Sequence, residues 1–226
     1  MATLQEQIEK AVREAVHRDR YRDSPTDRAV ARHEVAHALA SHTVGLKMAS
    51  ISVSDHSSGV MRNVDRPKPE VDGTPEEIAA RLRREYPDAI AKACRKEIVT
   101  FLAGRAADEF AGDKGLPVSA SASDLAEADK AADVAVGREG RDRLLESCRA
   151  DAAEIVKTGW PLIQEFAALL VFEREMPGFV LEIMFSERDL AATLREAYEA
   201  RPAGGEYSPL FPPPAPPAEP DWWSDA

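Results

Sequence analysis

Cysteine is nearly missing. Cys94 and Cys148 are the only two in 226 residues, and they lie far apart in stretches that read as helical. That excludes a disulfide framework and a thiolate metal site, and leaves both as small core residues. Basic charge is also short: 29 Lys and Arg stand against 40 Asp and Glu, for a net charge of -11. Phosphate recognition draws its affinity from clustered cations, so DNA and RNA are excluded as partners. Long apolar runs are lacking too. The longest, FAALLVF from Phe166 to Phe172, falls well short of the roughly 20 residues of a membrane span, so no membrane helix is expected. The first residues, MATLQEQIEKAVREAV, alternate charge with apolar positions and have no continuous apolar core of a secretory signal, so a cytoplasmic location is the default. No GxxxxGK[ST] phosphate loop occurs, and hence no built-in nucleotide-driven motor of that kind. No internal repeat is found.

What remains is a chain with 44% apolar and 31% charged residues, rich in Ala, Glu, Arg and Leu, which favours a mainly helical domain. Leu4, Ile8, Ala11, Val12 and Ala15 recur at helical spacing and predict an amphipathic helix within residues 1–22. The domain proper is expected over 23–200. Asp23 or Ser24 can cap a helix with Pro25 in its first turn and Gly45 as its stop. MASISVS and VMRNV, around DHSSG, predict two short strands joined by a tight loop. RPKPEVDG reads as irregular. Thr74 and Glu77 form a capping-box pattern ahead of IAARLRREY. A longer helix over Ala89 to Phe110 should turn Ile98, Phe101, Leu102, Ala106 and Phe110 inward. After the break at GDKGLPVSAS come three helical stretches, near Asp124 to Val136, Arg141 to Lys157 and Pro161 to Arg174, and a last helix from Glu187 to Ala200 with Ser186 and Asp189 as its capping box. PGFVLEIMF is compatible with strand or buried helix. Residues 201–226 carry eight of the sixteen prolines, a composition that predicts an extended or disordered tail. The expected fold class is mainly α, with a small two- or three-stranded β element after the first helix of the domain.

The chemistry concentrates in HEVAH. Residues four apart on a helix lie nearly above one another, so His33 and His37 can reach one ion from the same face. Glu34 sits about a hundred degrees round the helix, placed to hold a water without ligating the metal. That arrangement belongs to zinc-dependent peptide hydrolysis. The bland reading is a polar patch on an ordinary helix. Against it, Val30, Ala36, Ala40 and Val44 put the histidine face beside the buried stripe, where unpartnered imidazoles are costly. A catalytic zinc needs a third protein ligand. The long metzincin pattern would supply it, but Ala40 and Thr43 stand where its glycine and histidine belong. His42 is one position early, and His17 and His56 have no marked spacing.

Several separated stretches, in order, resemble the proteolytic domain of the FtsH-type, AAA-linked zinc metalloproteases. AVARHEVAHALASHTVG looks like that family's metal helix and MASISVSDHSSGVMRNV like the strand pair after it. IVTFLAGRAADEF is similar to its Gly-Arg-Ala-Ala-Glu-Glu helix, VSASASDLAEADKAA to the segment supplying its third ligand, and TGWPLIQEFAALLVFEREMPG to its later helix. The resemblance spans roughly residues 23–178. It implies Zn2+ held by His33, His37 and Asp124, with Glu34 as the general base. Ser121 and Asp124 also have capping-box spacing, the structural alternative for that aspartate. Asp108 or Glu109 are candidates to orient the imidazoles. The hairpin from Ala49 to Val64 would offer an edge strand to an extended substrate, or would only cover the core.

The departures matter as well. With no ATPase or membrane module in the sequence, the resemblance implies an ATP-independent peptidase that cleaves unfolded or flexible chains, or borrows a separate unfoldase or adaptor. GREGRDR replaces the family's Gly-Met-Ser stretch, which puts family-like hexamer contacts in doubt and leaves a homo-oligomer open. Two other readings stand beside this one. One is a catalytically silent zinc-binding module that recruits partners through the first helix and the Pro-rich tail. The other is a zinc peptidase of another clan, with its third ligand at Asp55, Asp65 or Glu70.

Overall fold

A computed structural model describes residues 25–54, 59–63, 72–112 and 119–200. The expected N-terminal helix, His17, His56, the alternative ligands Asp55, Asp65 and Glu70, and the Pro-rich tail lie outside the described residues. The fold is mainly helical, with a small antiparallel sheet of three strands.

The central element is α1 (Pro25–Val44), in which every residue from His33 to Val44 is buried. Pro25 opens it, as its fixed φ and missing N–H suit a first turn. Gly45, at φ +72, closes it. Gly45 N–H donates to the His42 carbonyl at 3.1 Å and Leu46 N–H to the Ser41 carbonyl at 2.8 Å, the paired bonds of a glycine-terminated helix. A helix enclosed on all sides must find partners for its polar side chains. His33, His37 and His42 find theirs on neighbouring elements, Thr43 bonds back to the Leu39 carbonyl, and one Glu34 oxygen has none.

The chain then forms β1 (Met48–Val53) and β2 (Gly59–Asn63), paired antiparallel. α2 (Pro75–Glu85) starts with the expected box: Thr74 Oγ1 accepts from Glu77 N–H, and Thr74 N–H donates to Glu77. α3 (Pro87–Ala111) ends at Gly112 in the left-handed region. Of its five residues expected inside, Ile98 and Leu102 are buried. Phe110 is instead half exposed, because the last turn runs past the core, where its ring packs on Trp160 at 4.9 Å.

The long helical run α4 (Ser119–Glu173) covers the three stretches of the sequence reading, keeps the expected gap between Val136 and Arg141 as a break at Gly137, and joins the last two stretches across Pro161. It breaks once, at Gly137 (φ 72, ψ -178), and continues through Pro161. Ile155, Val156, Leu162, Ile163 and Phe166 form one buried stripe on both sides of that proline. Their packing sustains the helix where Pro161 has no N–H to donate. By length and composition the run Ala122–Glu173 would also cross a membrane, but 56% of its most apolar window is buried inside the fold, as in the core helix of a packed domain.

Of the two readings of PGFVLEIMF the buried helix holds: only its first residue, Pro177, belongs to a strand, and Gly178 to Phe185 are helical. β3 (Glu175–Pro177) pairs with β1 to give the order β2-β1-β3, and α5 (Gly178–Ser186) follows at once. α6 (Asp189–Glu199) has Arg188 as its N-cap and no side-chain capping bond. The expected Ser186 box fails because α5 runs through Ser186 and leaves only two residues for the turn.

Arg174 ties three elements together. Its guanidinium donates twice to Asp27 in the first turn of α1, at 3.1 Å, and its carbonyl accepts from Val53 of β1 at 2.8 Å. It is the only non-glycine residue with positive φ among those described, a conformation held by this over-determined junction.

Candidate metal centre

α1 presents His33 and His37 toward α3 and the first segment of α4. His33 donates from Nδ1 to Asp108 Oδ2 on α3 at 2.9 Å, and its Nε2 lies 3.2 Å from Asp124 Oδ2 on α4. His37 donates from Nδ1 to the Thr100 carbonyl at 2.7 Å, and its Nε2 lies 3.3 Å from the same Asp124 oxygen. One ligating atom from each of His33, His37 and Asp124 falls within 4.8 Å of the other two.

A carbonyl can only accept, so the bond to Thr100 puts a proton on Nδ1 of His37 and makes Nε2 the ring nitrogen open to a ligand. Nε2 faces the Asp124 carboxylate oxygen, a place that either a proton or a metal ion can bridge. The spacing fits a metal ion: bonds of about 2.0–2.1 Å from a tetrahedral zinc place neighbouring ligand atoms about 3.3 Å apart. A second observation is Gly104. A Cβ built there would overlap Nε2 of both His33 and His37, so α3 brings bare backbone to the one place where a side chain would fill the space between the ligating nitrogens. Two imidazoles and one carboxylate also suit a borderline cation such as zinc. The residues present fit the group.

The electrostatics favour positive charge at the cluster. Burial alone would lower the pKa of His33. The hydrogen bonds to Asp108 and Asp124 outweigh it and raise the pKa to about 10 in the metal-free protein. Burial would raise that of Asp124, but the two imidazoles hold it well below the usual carboxylate range. Glu34 is pushed up by its burial, with His37 and His33 opposing. It is only 4% exposed, and its Oε2 has no hydrogen-bond partner. A buried carboxylate of raised pKa, beside two imidazoles and with a free oxygen, is suited to proton transfer. Solvent reaches the cluster at the Asp124 side chain, which is 21% exposed against 5% for His33.

β2 runs along the same helix. A Cβ at Gly59 would collide with the Glu34 carboxylate, and two residues on, Met61 Sδ meets Ser41 Oγ at 3.7 Å. β2 is an edge strand in the order β2-β1-β3, so an edge strand does pass over Glu34.

The structure therefore brings His33, Glu34, His37 and Asp124 together. Of the two orienting candidates, Asp108 reaches His33, while Glu109 turns outward and pairs with Arg105 at 2.7 Å. The capping-box alternative for Asp124 does not hold, since the α4 backbone is already helical from Ser119. His42, buried, donates to Glu182 at 3.0 Å and packs on Phe185, apart from the cluster. The Thr100 carbonyl and Gly104 are site features that the sequence reading does not single out. A backbone acceptor leaves no signature in a sequence, but a glycine inside a strong helical run was a visible sign of close approach. Comparison with family models and with curated proteins finds no match for this chain.

Proposed function

We propose that this protein is a zinc-dependent endopeptidase acting on unfolded or flexible polypeptides, of the kind the FtsH-type resemblance implies. One observation carries the reading: three ligating atoms from elements 91 residues apart converge beside a buried carboxylate with an unpartnered oxygen. His33, His37 and Asp124 would hold the ion. When bound, zinc supplies Lewis acidity for the carbonyl and the attacking water.

The chain's own residues do the rest. Asp108 and the Thr100 carbonyl fix the two imidazole rings, so the ligating edges are set before any ligand arrives. Glu34 takes a proton from the water that attacks the peptide carbonyl carbon, and returns it to the nitrogen as the C–N bond breaks. Its raised pKa keeps the donating form accessible for the second transfer. The outer edge of β2, which has no strand beside it among the described residues, can pair with an extended substrate through main-chain hydrogen bonds, giving affinity with little demand on side chains. Such pairing needs an unfolded stretch, hence flexible substrates or a separate unfoldase.

Glu34→Gln tests this. It should keep about one zinc per chain yet lose casein cleavage by about 10²-fold or more, the usual worth of a positioned acid–base group. Undiminished cleavage would remove Glu34 from the chemistry. A zinc-loaded wild type that digests nothing, even with unfoldases added, would favour the silent binding module.

A further inference from the structure

The third ligand sits on a segment held differently from the rest of its helix. Gly137 (φ 72, ψ -178) occupies a backbone region open essentially to glycine alone. Non-helical dihedrals at Gly137 turn the following N–H groups away from the carbonyls of the preceding turn, beginning with Val134. Arg83, from α2, fills part of that gap: its Nη1 donates to the Asp133 carbonyl at 2.8 Å and to the Val134 carbonyl at 3.0 Å.

The segment ahead of the break buries alanines, Ala128, Ala131, Ala132 and Ala135, whereas the part beyond it buries Leu145, Ile155, Val156, Ile163, Phe166 and Leu170. Alanine offers little apolar area per residue, so the angle of the first segment depends more on its polar anchors. Asp124 and Gly137 are 13 residues apart (137 minus 124). At about 1.5 Å per residue the lever is about 20 Å long, and a swing of about 3° moves the Asp124 carboxylate by about 1 Å. Displacements of that size decide whether a site functions.

We propose that Arg83 is a positioning residue for the metal centre: by capping the carbonyls exposed at the Gly137 break, it sets the angle of the segment that carries Asp124 to His33 and His37. The inference rests on the zinc reading of that cluster. It makes α2, which contributes no ligand, a determinant of metal affinity.

The test uses the full chain, stripped of metal and titrated with Zn2+ in competition with a chelator and with Co2+ by visible absorption. Arg83→Met should bind zinc about 10- to 100-fold more weakly, the range found when groups behind a ligand are removed. It should also change the intensity of the tetrahedral Co2+ bands, while Arg83→Lys, which retains an N–H donor, should recover most of both. Far-UV circular dichroism of the metal-free variants separates this from unfolding. Should Arg83→Met not fold, Gly137→Ala, which disfavours the break, should give the same loss. Wild-type affinity and spectrum in a folded Arg83→Met or Gly137→Ala would overturn the role of Arg83 and leave the metal site standing. A wild-type chain that takes up neither ion would overturn both.

Discussion

α1 carries three buried histidines, and the contrast between the His33/His37 pair and His42 shows what separates a candidate site from core polarity. All three are at most 4% exposed, and each has a polar partner. His42 is closed off: it donates to Glu182, stacks on Phe185 at 5.3 Å, and Glu182 is balanced by Arg195 at 3.6 Å. The pair at His33 and His37 is open in the chemical sense. Each has one ring nitrogen committed to an orienting acceptor and the other aimed at a shared aspartate, across a space that Gly104 keeps clear. Burial does not distinguish the two regions. Convergence of two ring nitrogens on one carboxylate oxygen does.

The contrast breaks most sharply at the glycines. Gly104→Ala should reduce zinc affinity by about 10³-fold or more, because the new methyl takes the space between two ligating nitrogens. Gly59→Ala should instead leave zinc in place and impair cleavage, because its methyl meets Glu34. Zinc content and casein hydrolysis, measured on both, should separate in that way.

Acidity offers a smaller, graded effect. In the metal-free protein His33 holds a proton up to about pH 10, so zinc must displace it. Apparent zinc affinity should therefore rise by up to about tenfold per pH unit from pH 7 to 9, with proton release on binding. Stability of the metal-free chain follows the same groups. A raised histidine pKa stabilises fully below its unfolded value of 6.5 and ceases to as pH rises through about 10. The depressed pKa of Asp124 stabilises above 3.8 and ceases to as pH falls toward its folded value. Denaturant midpoints should be highest between those limits and fall on either side; a flat profile would contradict the charged clamp.

The smallest effect belongs to His42. Glu182→Gln should cost at most about 1 kcal/mol in stability, since its carboxylate is partly exposed and screened, and should leave zinc affinity unchanged. A drop in affinity there would mean that the two histidine regions are coupled.

Local signals were the legible ones. Pro25 and Gly45 bound α1 as read, the Thr74 box opens α2, and the alternation in MASISVS marks β1. His33, His37 and Asp124 meet as the ordered motifs implied, although spacing alone names no partner 91 residues away. What was hidden depends on tertiary context. Pro161 reads as a helix start but is carried through by the buried stripe around it. β3 has three residues, too few for periodicity to register, and gains its identity from pairing with β1. His42 and Glu182 lie 140 residues apart, with no motif to join them.

The central claim is that His33, His37 and Asp124 bind one divalent ion. Anomalous diffraction at the zinc absorption edge, from crystals of the zinc-loaded protein, tests it most directly. A single strong peak is expected about 2.0–2.1 Å from Nε2 of both histidines and within bonding reach of the Asp124 carboxylate. A peak elsewhere, or none beside the histidine pair, would contradict it.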